Sequence, residues 1–253
     1  MLDVTRTRPR AWVSRLTEWL GSGRSSVLVG VLAMTTLLRL PYVWAPLSSD
    51  EGGFLLVAHQ AATTEGSLYG NQWVDRPPGL IMVFRLADLM SEVLGDRVAL
   101  RIVAMAMALT AVASAWFAGR VIGGSRGGIA AAVVLAAFTS TPVFSGPRLM
   151  TALPAVTGVT VSAALVLVAT YGARSARIRA WCAFGAGAAA AIALLMKQNF
   201  ADGFVFAAVL WVLMGRRGAK RLALFAAGAA LPLLAVVAWG AAGPGLGALW
   251  EAT

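Results

Sequence analysis

Charged residues, cysteine and histidine are all scarce in this sequence of 253 residues. Only 13% of the residues are charged, about half of the usual fraction in soluble domains. A single cysteine, Cys182, excludes an intrachain disulfide framework, and a single histidine, His59, argues against a zinc site made of Cys and His. Hydrophobic residues make up 59% of the chain, which excludes a water-soluble globule and a disordered chain as the main form.

Basic residues outnumber acidic ones, 21 against 11, which gives a formal net charge of +10. A basic balance fits a nucleic-acid-binding protein, but it also fits a membrane protein with basic cytoplasmic loops. Seven apolar runs decide for the membrane, because most of them can cross about 30 Å of hydrocarbon. They cover residues 27–46, 99–121, 127–144, 151–171, 181–196, 204–215 and 222–239.

The segment 77–94 decides how many times the chain crosses the membrane. On a helix its Arg85, Asp88 and Glu92 fall within a stripe of about 60°, and the rest of the segment is mostly apolar. Each charge at mid-membrane would cost about 2.5–3.5 kcal/mol on insertion scales, so we predict an interfacial helix here. With seven spans, fourteen Arg and Lys residues lie inside and six lie outside. With an eighth span, nine would lie inside and ten outside. The positive-inside rule favours seven spans with a cytoplasmic N-terminus.

These patterns predict an all-α, polytopic protein of the cell membrane, with one membrane-embedded module over residues 1–253. Residues 1–25 are a basic cytoplasmic tail ahead of an uncleaved signal anchor. Residues 47–98 form the first outside loop and are predicted to contain two short interfacial helices, of which the first is capped by Ser49 or Asp50. The basic residues belong to membrane topology and to contacts with lipids, so no nucleic-acid partner is expected.

Acidic residues cluster on the predicted outside, where nine of the 11 lie. Acidic side chains contribute little to topology, so this clustering indicates a site for hydroxyls, phosphates or a metal. The outside segments also carry five short motifs in a fixed order. These are Ser48-Ser49-Asp50-Glu51, Trp73-Val74-Asp75-Arg76-Pro77-Pro78, Gly95-Asp96-Arg97 with Arg101, Ser145-Gly146-Pro147-Arg148 and Leu194-Leu195-Met196-Lys197.

This ordered set resembles the motifs of the GT-C glycosyltransferases, which are integral-membrane enzymes that use polyprenyl-phosphate-linked sugars. It is most similar to the protein O-mannosyltransferases and the lipid A aminoarabinose transferases. The resemblance implies transfer of a sugar, with inversion, from a lipid phosphate to a hydroxyl of a glycan, lipid or protein on the non-cytoplasmic side. Such chemistry needs a carboxylate that takes the acceptor proton and cations that stabilise the departing phosphate.

The resemblance also implies roles for individual residues. Asp50 matches the catalytic acid of the family and is predicted to act as the base, with Glu51 in support because adjacent helix positions do not face each other. The residues predicted to bind the donor and its phosphate are Asp75, Arg76, Arg101, Arg148 and Lys197. The acidic cluster has the oxygen ligands that a divalent cation prefers, but no spacing demands one, so a metal cofactor stays open.

Two features depart from the family. Leu153 stands where an acid often follows the residue matching Arg148, and the chain ends at Thr253 whereas relatives commonly continue with further spans. We therefore expect an N-terminal seven-span module that is shortened at its C-terminus. A catalytically incomplete protein that binds lipid-linked sugar or assists a partner is the first alternative to an enzyme. A small-solute transporter ranks below it, because no internal repeat is visible.

Simpler roles stand beside the catalytic ones. Asp50-Glu51 is also suited to capping a helix, and Asp75-Arg76 to forming a surface ion pair. Arg39, near the end of the first span, is predicted to snorkel to the membrane surface. His59 is predicted to be structural, and the charged stripe of segment 77–94 to be a solvated helix face.

Overall fold

The computed structural model describes residues 23–63, 67–172 and 175–252, and most of the predicted basic tail lies outside these ranges. Within them the chain is helical and forms no β-ladder, so the predicted all-α fold is confirmed. The helices in chain order are α1 (Gly23–Arg39), α2 (Ser49–Gln60), α3 (Pro78–Leu94), α4 (Asp96–Ser140), α5 (Ala152–Leu167), α6 (Ala176–Met196), α7 (Asp202–Leu213), α8 (Arg216–Ala242) and α9 (Leu246–Ala252).

Helix α4 is a hairpin of two helices. Gly123 and Gly124 leave the helical region, with φ of −125° and +63°, and the positive φ at Gly124 is a conformation that glycine adopts without strain. Gly119 and Gly127 flank this turn so closely that a Cβ on either would overlap the carbonyl of the other. The two halves, α4a (96–122) and α4b (125–140), therefore run side by side and coincide with the second and third apolar runs.

All seven apolar runs are helical over most of their length. With the hairpin α4 counted as one, four helical stretches in the described ranges are long and apolar enough to cross a membrane, namely α4, residues 152–172, α6 and α8. Residues 26–42, which comprise most of α1 and its extension, and α7 are apolar but shorter. This is the architecture of a multi-pass membrane protein. The count of seven spans and their orientation stay predictions.

Helix α6 lies between α5 and α8, and small residues allow the close approach. Gly187 of α6 and Gly228 of α8 each sit against a backbone carbonyl of the other helix, where a Cβ would overlap it. On the side towards α5, a Cβ on Gly158 would lie 2.8 Å from the Cβ of Ala193. Small residues at such contacts are the usual means by which membrane helices pack.

The loop over residues 47–98 contains the two predicted helices, α2 and α3. The ring of Phe54 in α2 packs on that of Phe84 in α3 at 5.3 Å between centroids. Helix α3 also packs on α4a and α6, while Met82 and Leu89 on its other side are exposed. An apolar exposed face suits a helix in contact with lipid. The cap of α2 was predicted wrongly: it is Ser48, one residue earlier.

Two further sequence predictions need correction. Arg39 does not snorkel, because it is buried and donates to the carbonyls of Thr139, Gly146 and Pro147. The charged stripe of α3 is not uniformly solvated either. Asp88 is only 8% exposed, because it accepts from Arg85 on the same helix and lies 3.0 Å from Nδ1 of His59 on α2. His59 therefore joins α2 to α3, as a structural histidine would.

Candidate active site

A buried carboxylate, Glu51, joins three separate parts of the chain. It is 0% exposed and forms a two-pronged ion pair with Arg101 at the start of α4a, with Oε2 lying 3.3 Å from Nη2. The backbone N–H of Leu149 donates to Oε1 at 2.9 Å, and that of Ser48 donates to Oε2 at 3.0 Å. One side chain thus ties the start of α2 to α4a and to the segment before α5.

The local sequence explains how Glu51 comes to lie there. Ser48 has an extended backbone and its hydroxyl accepts from the N–H of Glu51 at 3.3 Å, while the Glu51 carboxylate accepts from the N–H of Ser48. This reciprocal pair is the capping box of a helix N-terminus. It accounts for the capping role that the sequence left open. It leaves Asp50, in the same turn, exposed and without a hydrogen-bond or ion-pair partner in the part of the chain that the structure describes.

The surroundings of Glu51 keep its carboxylate ionised. Burial alone raises the pKa of Glu51, but hydrogen bonds from Arg101, Ser48 and Leu149 and the charge of Arg101 together lower the pKa below its ordinary value of 4.5. Both carboxylate oxygens are already occupied by donors. A carboxylate with a lowered pKa and bonded oxygens is a poor proton acceptor. Of the two adjacent acids, Asp50 is therefore the one suited to act as a base.

Arg101 is enclosed to the same degree as its partner. It is 4% exposed, and its Nε donates to the carbonyl of Tyr42 at 3.1 Å while both Nη atoms bond Glu51. All three nitrogens are therefore engaged within the protein, although each Nη has a second N–H. The sequence assigned Arg101 to the donor phosphate; the contacts observed for it are with Glu51 and with Tyr42, just after α1.

Arg148 lies next to this cluster but stays exposed. Its backbone N–H donates to the carbonyl of Ser145 at 3.0 Å, and the following residue, Leu149, is fully buried and bonded to Glu51. Within the described ranges the guanidinium has no hydrogen-bond or ion-pair partner. Glu51 follows Asp50 in the sequence, and Leu149 follows Arg148. The hydrogen bond of 2.9 Å from Leu149 to Glu51 therefore joins the segment that contains Asp50 to the segment that contains Arg148. The structure thus brings the predicted acid and this predicted cation to one region.

Two other predicted cations, Arg76 and Lys197, flank a second close contact. Gly79 at the start of α3 packs on Leu195 near the end of α6, and a Cβ on Gly79 would lie 2.7 Å from the carbonyl oxygen of Leu195. Arg76 pairs with the exposed Asp75 at 2.8 Å, as the simpler interpretation predicted, but its buried Nε finds no acceptor in the described ranges. Lys197 is the C-cap residue that follows α6, and its Nζ lies 5.9 Å from the ring centroid of Phe200.

An apolar cavity opens beside this contact. It has a volume of about 620 Å³ and lies between α6, α8 and α9. Pro77, the neighbour of Arg76, and Gln198, the neighbour of Lys197, both line it. Leu233 and Val236 of α8 are among the other residues that line it. The cavity is thus an apolar surface, and two of its lining residues are next to a cationic residue in the sequence.

A polar pocket of about 350 Å³ lies at the other end of α2. It is lined by His59 and Arg85, by Asp88 and Glu92, and by Asp96 at the start of α4a. Across the described ranges no three His, Cys, Asp or Glu side chains are arranged to hold a metal ion. The pocket contains the ion pairs of Asp88 described above.

Sequence reasoning missed the burial of Arg39 and the pairing of Arg101 with Glu51. One signal was available, because a charge inside or beside an apolar run is costly unless it finds a partner. Arg39 and Arg101 both stand near an end of such a run. Their actual partners lie far along the chain and are visible only in the folded structure.

Comparison with known proteins gives one match. The model of the family described as dolichyl-phosphate-mannose-protein mannosyltransferase matches residues 75–240, which is more than half of the chain. The matched region contains Arg101, Arg148 and Lys197 as well as the Asp75-Arg76 pair, and it begins after Asp50-Glu51. No curated protein and no solved structure matches.

Proposed function

Since the chain belongs to the dolichyl-phosphate-mannose-protein mannosyltransferase family, we propose that it transfers a sugar from a polyprenyl phosphate to an acceptor hydroxyl. Membership in the family makes it a membrane glycosyltransferase. The lipid-linked donor and the location at the outer face of the membrane are our proposal. The acceptor belongs to a glycan, a lipid or a protein.

The observation that carries the proposal is the apolar cavity lined by Pro77 and Gln198, the direct sequence neighbours of Arg76 and Lys197. A polyprenyl phosphate has a long apolar chain and an anionic head, so its site needs an apolar wall that ends at cations. The cavity of about 620 Å³ supplies the wall, and its lining includes the direct neighbours of both cations. We assign binding of the phosphate to Arg76, Lys197 and Arg148. Each of the two arginines can bind it with two parallel hydrogen bonds.

The reaction that we propose is a single displacement at the anomeric carbon. The oxygen of the acceptor hydroxyl attacks the anomeric carbon while the Asp50 carboxylate takes the proton of that hydroxyl. The bond from the carbon to the phosphate oxygen breaks, and its electron pair leaves with the polyprenyl phosphate, whose charge the cations stabilise. Attack from the side opposite the phosphate inverts the configuration of the sugar.

Within this mechanism Glu51 and Arg101 act as a positioning pair. Their ion pair is buried and fixes the first turn of α2, so it sets where Asp50 lies. The hydrogen bond from Leu149 to Glu51 sets where Arg148 lies relative to that turn. The two contacts fix the base, Asp50, relative to the phosphate-binding Arg148. This matters because misplaced catalytic groups lower the reaction rate.

Replacement of Asp50 by Asn in protein reconstituted in liposomes tests the proposal. We expect sugar transfer from a polyprenyl-phosphate donor to fall by about 10²–10⁴-fold, the usual contribution of a positioned base. Asp202→Asn is the matched control, because Asp202 is also an exposed acid in the first turn of a helix. Full transfer by Asp50→Asn would overturn the role of Asp50. No transfer by the wild-type protein from any polyprenyl-phosphate sugar would overturn the proposed function.

A second candidate function is binding of a lipid-linked sugar without turnover. Leu153, at the position where relatives often carry an acid, is 7% exposed and packs in the same core cluster as Leu149 and Met196. This chain therefore has an apolar contact at that position. Saturable labelling of the wild-type protein by a photoreactive polyprenyl phosphate, without any transferred sugar, would favour this alternative over the enzyme.

A further inference from the structure

Arg39 is one of the most deeply buried charged residues in the described ranges, at 3% exposure, and the proposed mechanism gives it no role. It forms no ion pair with a carboxylate in the part of the chain that the structure describes. Its guanidinium donates instead to backbone carbonyls, in a close contact with Thr139, at 2.7 Å to Gly146 and at 3.3 Å to Pro147. A buried charge in a membrane protein is costly, so a residue of this kind calls for a function.

The segment that Arg39 holds is a tight turn. Ser145 adopts a left-handed conformation with φ of +54°, which is uncommon for a residue other than glycine. A Cβ on Gly146 would lie 2.6 Å from the carbonyl oxygen of Phe138, so the turn is pressed against the end of α4b. The N–H of Gly146 donates to the carbonyl of Thr141 at 3.1 Å. Arg39 thus bonds both the end of α4b and the turn that follows.

Arg148 comes directly after this turn, and both of its flanking peptide groups are held by buried charges. The carbonyl before it, of Pro147, accepts from Arg39, and the N–H after it, of Leu149, donates to Glu51. We infer that Arg39 is a positioning residue, which fixes the backbone of Arg148 and so sets where its guanidinium meets the donor phosphate. The inference rests on the proposed function for the role of Arg148.

The geometry also explains why arginine suits this position. The planar guanidinium presents several donors in a fixed fork, so one side chain bonds three carbonyls at once, whereas the Lys ammonium is a single point charge. A lysine at position 39 would keep the charge and lose most of the shared geometry. A misplacement of about 1 Å at a reacting group lowers the rate by about 10²-fold. The Arg39→Lys variant therefore separates positioning from charge.

A double-mutant cycle tests whether Arg39 acts through Arg148. We expect Arg39→Lys to lower kcat/KM for sugar transfer by about 10²-fold. In the presence of Arg148→Ala it should cause little further loss, because the residue that it positions is gone. Losses that multiply in the Arg39→Lys, Arg148→Ala double variant would overturn the inference.

A second measurement reads the backbone at position 148 without any activity. A nitroxide label is attached to Arg148→Cys in a Cys182→Ala background, which removes the only native cysteine. We expect Arg39→Lys to increase the mobility of this label and to leave a label at Lys197→Cys unchanged. Unchanged mobility of the label at position 148 would overturn the inference, whether or not the wild-type protein transfers sugar. Absence of sugar transfer by the wild-type protein would, on its own, overturn only the proposed function. If Arg39→Lys does not fold, Arg39→Gln replaces it in both experiments.

Discussion

Each end of helix α2 takes part in an ion pair, and the two pairs differ in burial. At the N-terminal end Glu51 and Arg101 are 0% and 4% exposed, and they bond each other as well as backbone groups of Ser48, Leu149 and Tyr42. At the C-terminal end the side chain of His59 is 65% exposed and that of Arg85 is 33% exposed, and both border an open pocket. Only Asp88 between them is buried.

This difference in burial predicts that the two ion pairs differ in their contribution to stability and in their role in the protein. Removing one partner of a buried ion pair costs about 3–5 kcal/mol, because the other charge is left uncompensated. An exposed pair contributes about 0–1 kcal/mol, because water screens it and the side chains lose entropy. We therefore expect the N-terminal end to organise the active site and the C-terminal end to be a modest tie between α2 and α3.

Glu51→Gln is expected to have the largest effect. It leaves Arg101 buried without a counter-charge, so the free energy of unfolding should fall by about 3–5 kcal/mol and sugar transfer should be lost. Thermal unfolding in detergent measures the first effect, with Glu92→Gln as the control because Glu92 is exposed. Equal unfolding temperatures for the two variants would contradict the buried-pair interpretation.

The double variant Glu51→Gln with Arg101→Met sharpens this prediction. It removes the uncompensated charge, so it should unfold at a higher temperature than Glu51→Gln alone. Its sugar transfer should stay low, because the ties from α2 to α4a are gone. Recovered stability without recovered transfer would separate the structural role of the pair from its role in positioning.

Acid pH should produce an intermediate effect at the same end of α2. The pKa of Glu51 is lower in the folded protein than its ordinary value of 4.5, so the ionised carboxylate stabilises the fold above that pH. The stabilisation is lost as the pH falls below 4.5 and through the lowered pKa. Unfolding temperatures across this range should fall more steeply for the wild-type protein than for Glu51→Gln. Parallel curves would contradict the lowered pKa.

His59→Ala is expected to have the smallest effect. The ring is largely exposed, so loss of its contact with Asp88 should change the free energy of unfolding by about 0–1 kcal/mol. Chemical denaturation of the reconstituted protein gives the value. A loss as large as that of Glu51→Gln would remove the distinction between the two ends of α2.

Much of the fold follows from hydrophobic patterning. The apolar runs predict helices because lipid offers no partners for backbone polar groups, and the Gly123-Gly124 pair divides two of them. The start of α2 was also readable, because Ser48 and Glu51 have the spacing of a capping box. The prediction of Ser49 or Asp50 as the cap overlooked that spacing.

The contacts of the candidate site could not be predicted in the same way. Local patterns state which residue types are near in sequence, but the partners of Arg39 lie in the turn before Arg148 and those of Arg101 lie at Tyr42 and Glu51. Snorkelling and burial are both open to an arginine at the end of an apolar helix. Which one occurs depends on whether free carbonyls from another segment come within hydrogen-bonding distance.

The most direct test compares sugar transfer by the wild-type protein with that of variants at the two ends of α2. Asp50→Asn and His59→Ala are reconstituted in liposomes and supplied with a polyprenyl-phosphate sugar and a mixture of acceptors. We predict transfer by the wild-type protein, a loss of about 10²–10⁴-fold in Asp50→Asn, and nearly full transfer in His59→Ala. Full transfer by Asp50→Asn together with loss in His59→Ala would place the chemistry at the opposite end of the helix and contradict the proposed mechanism.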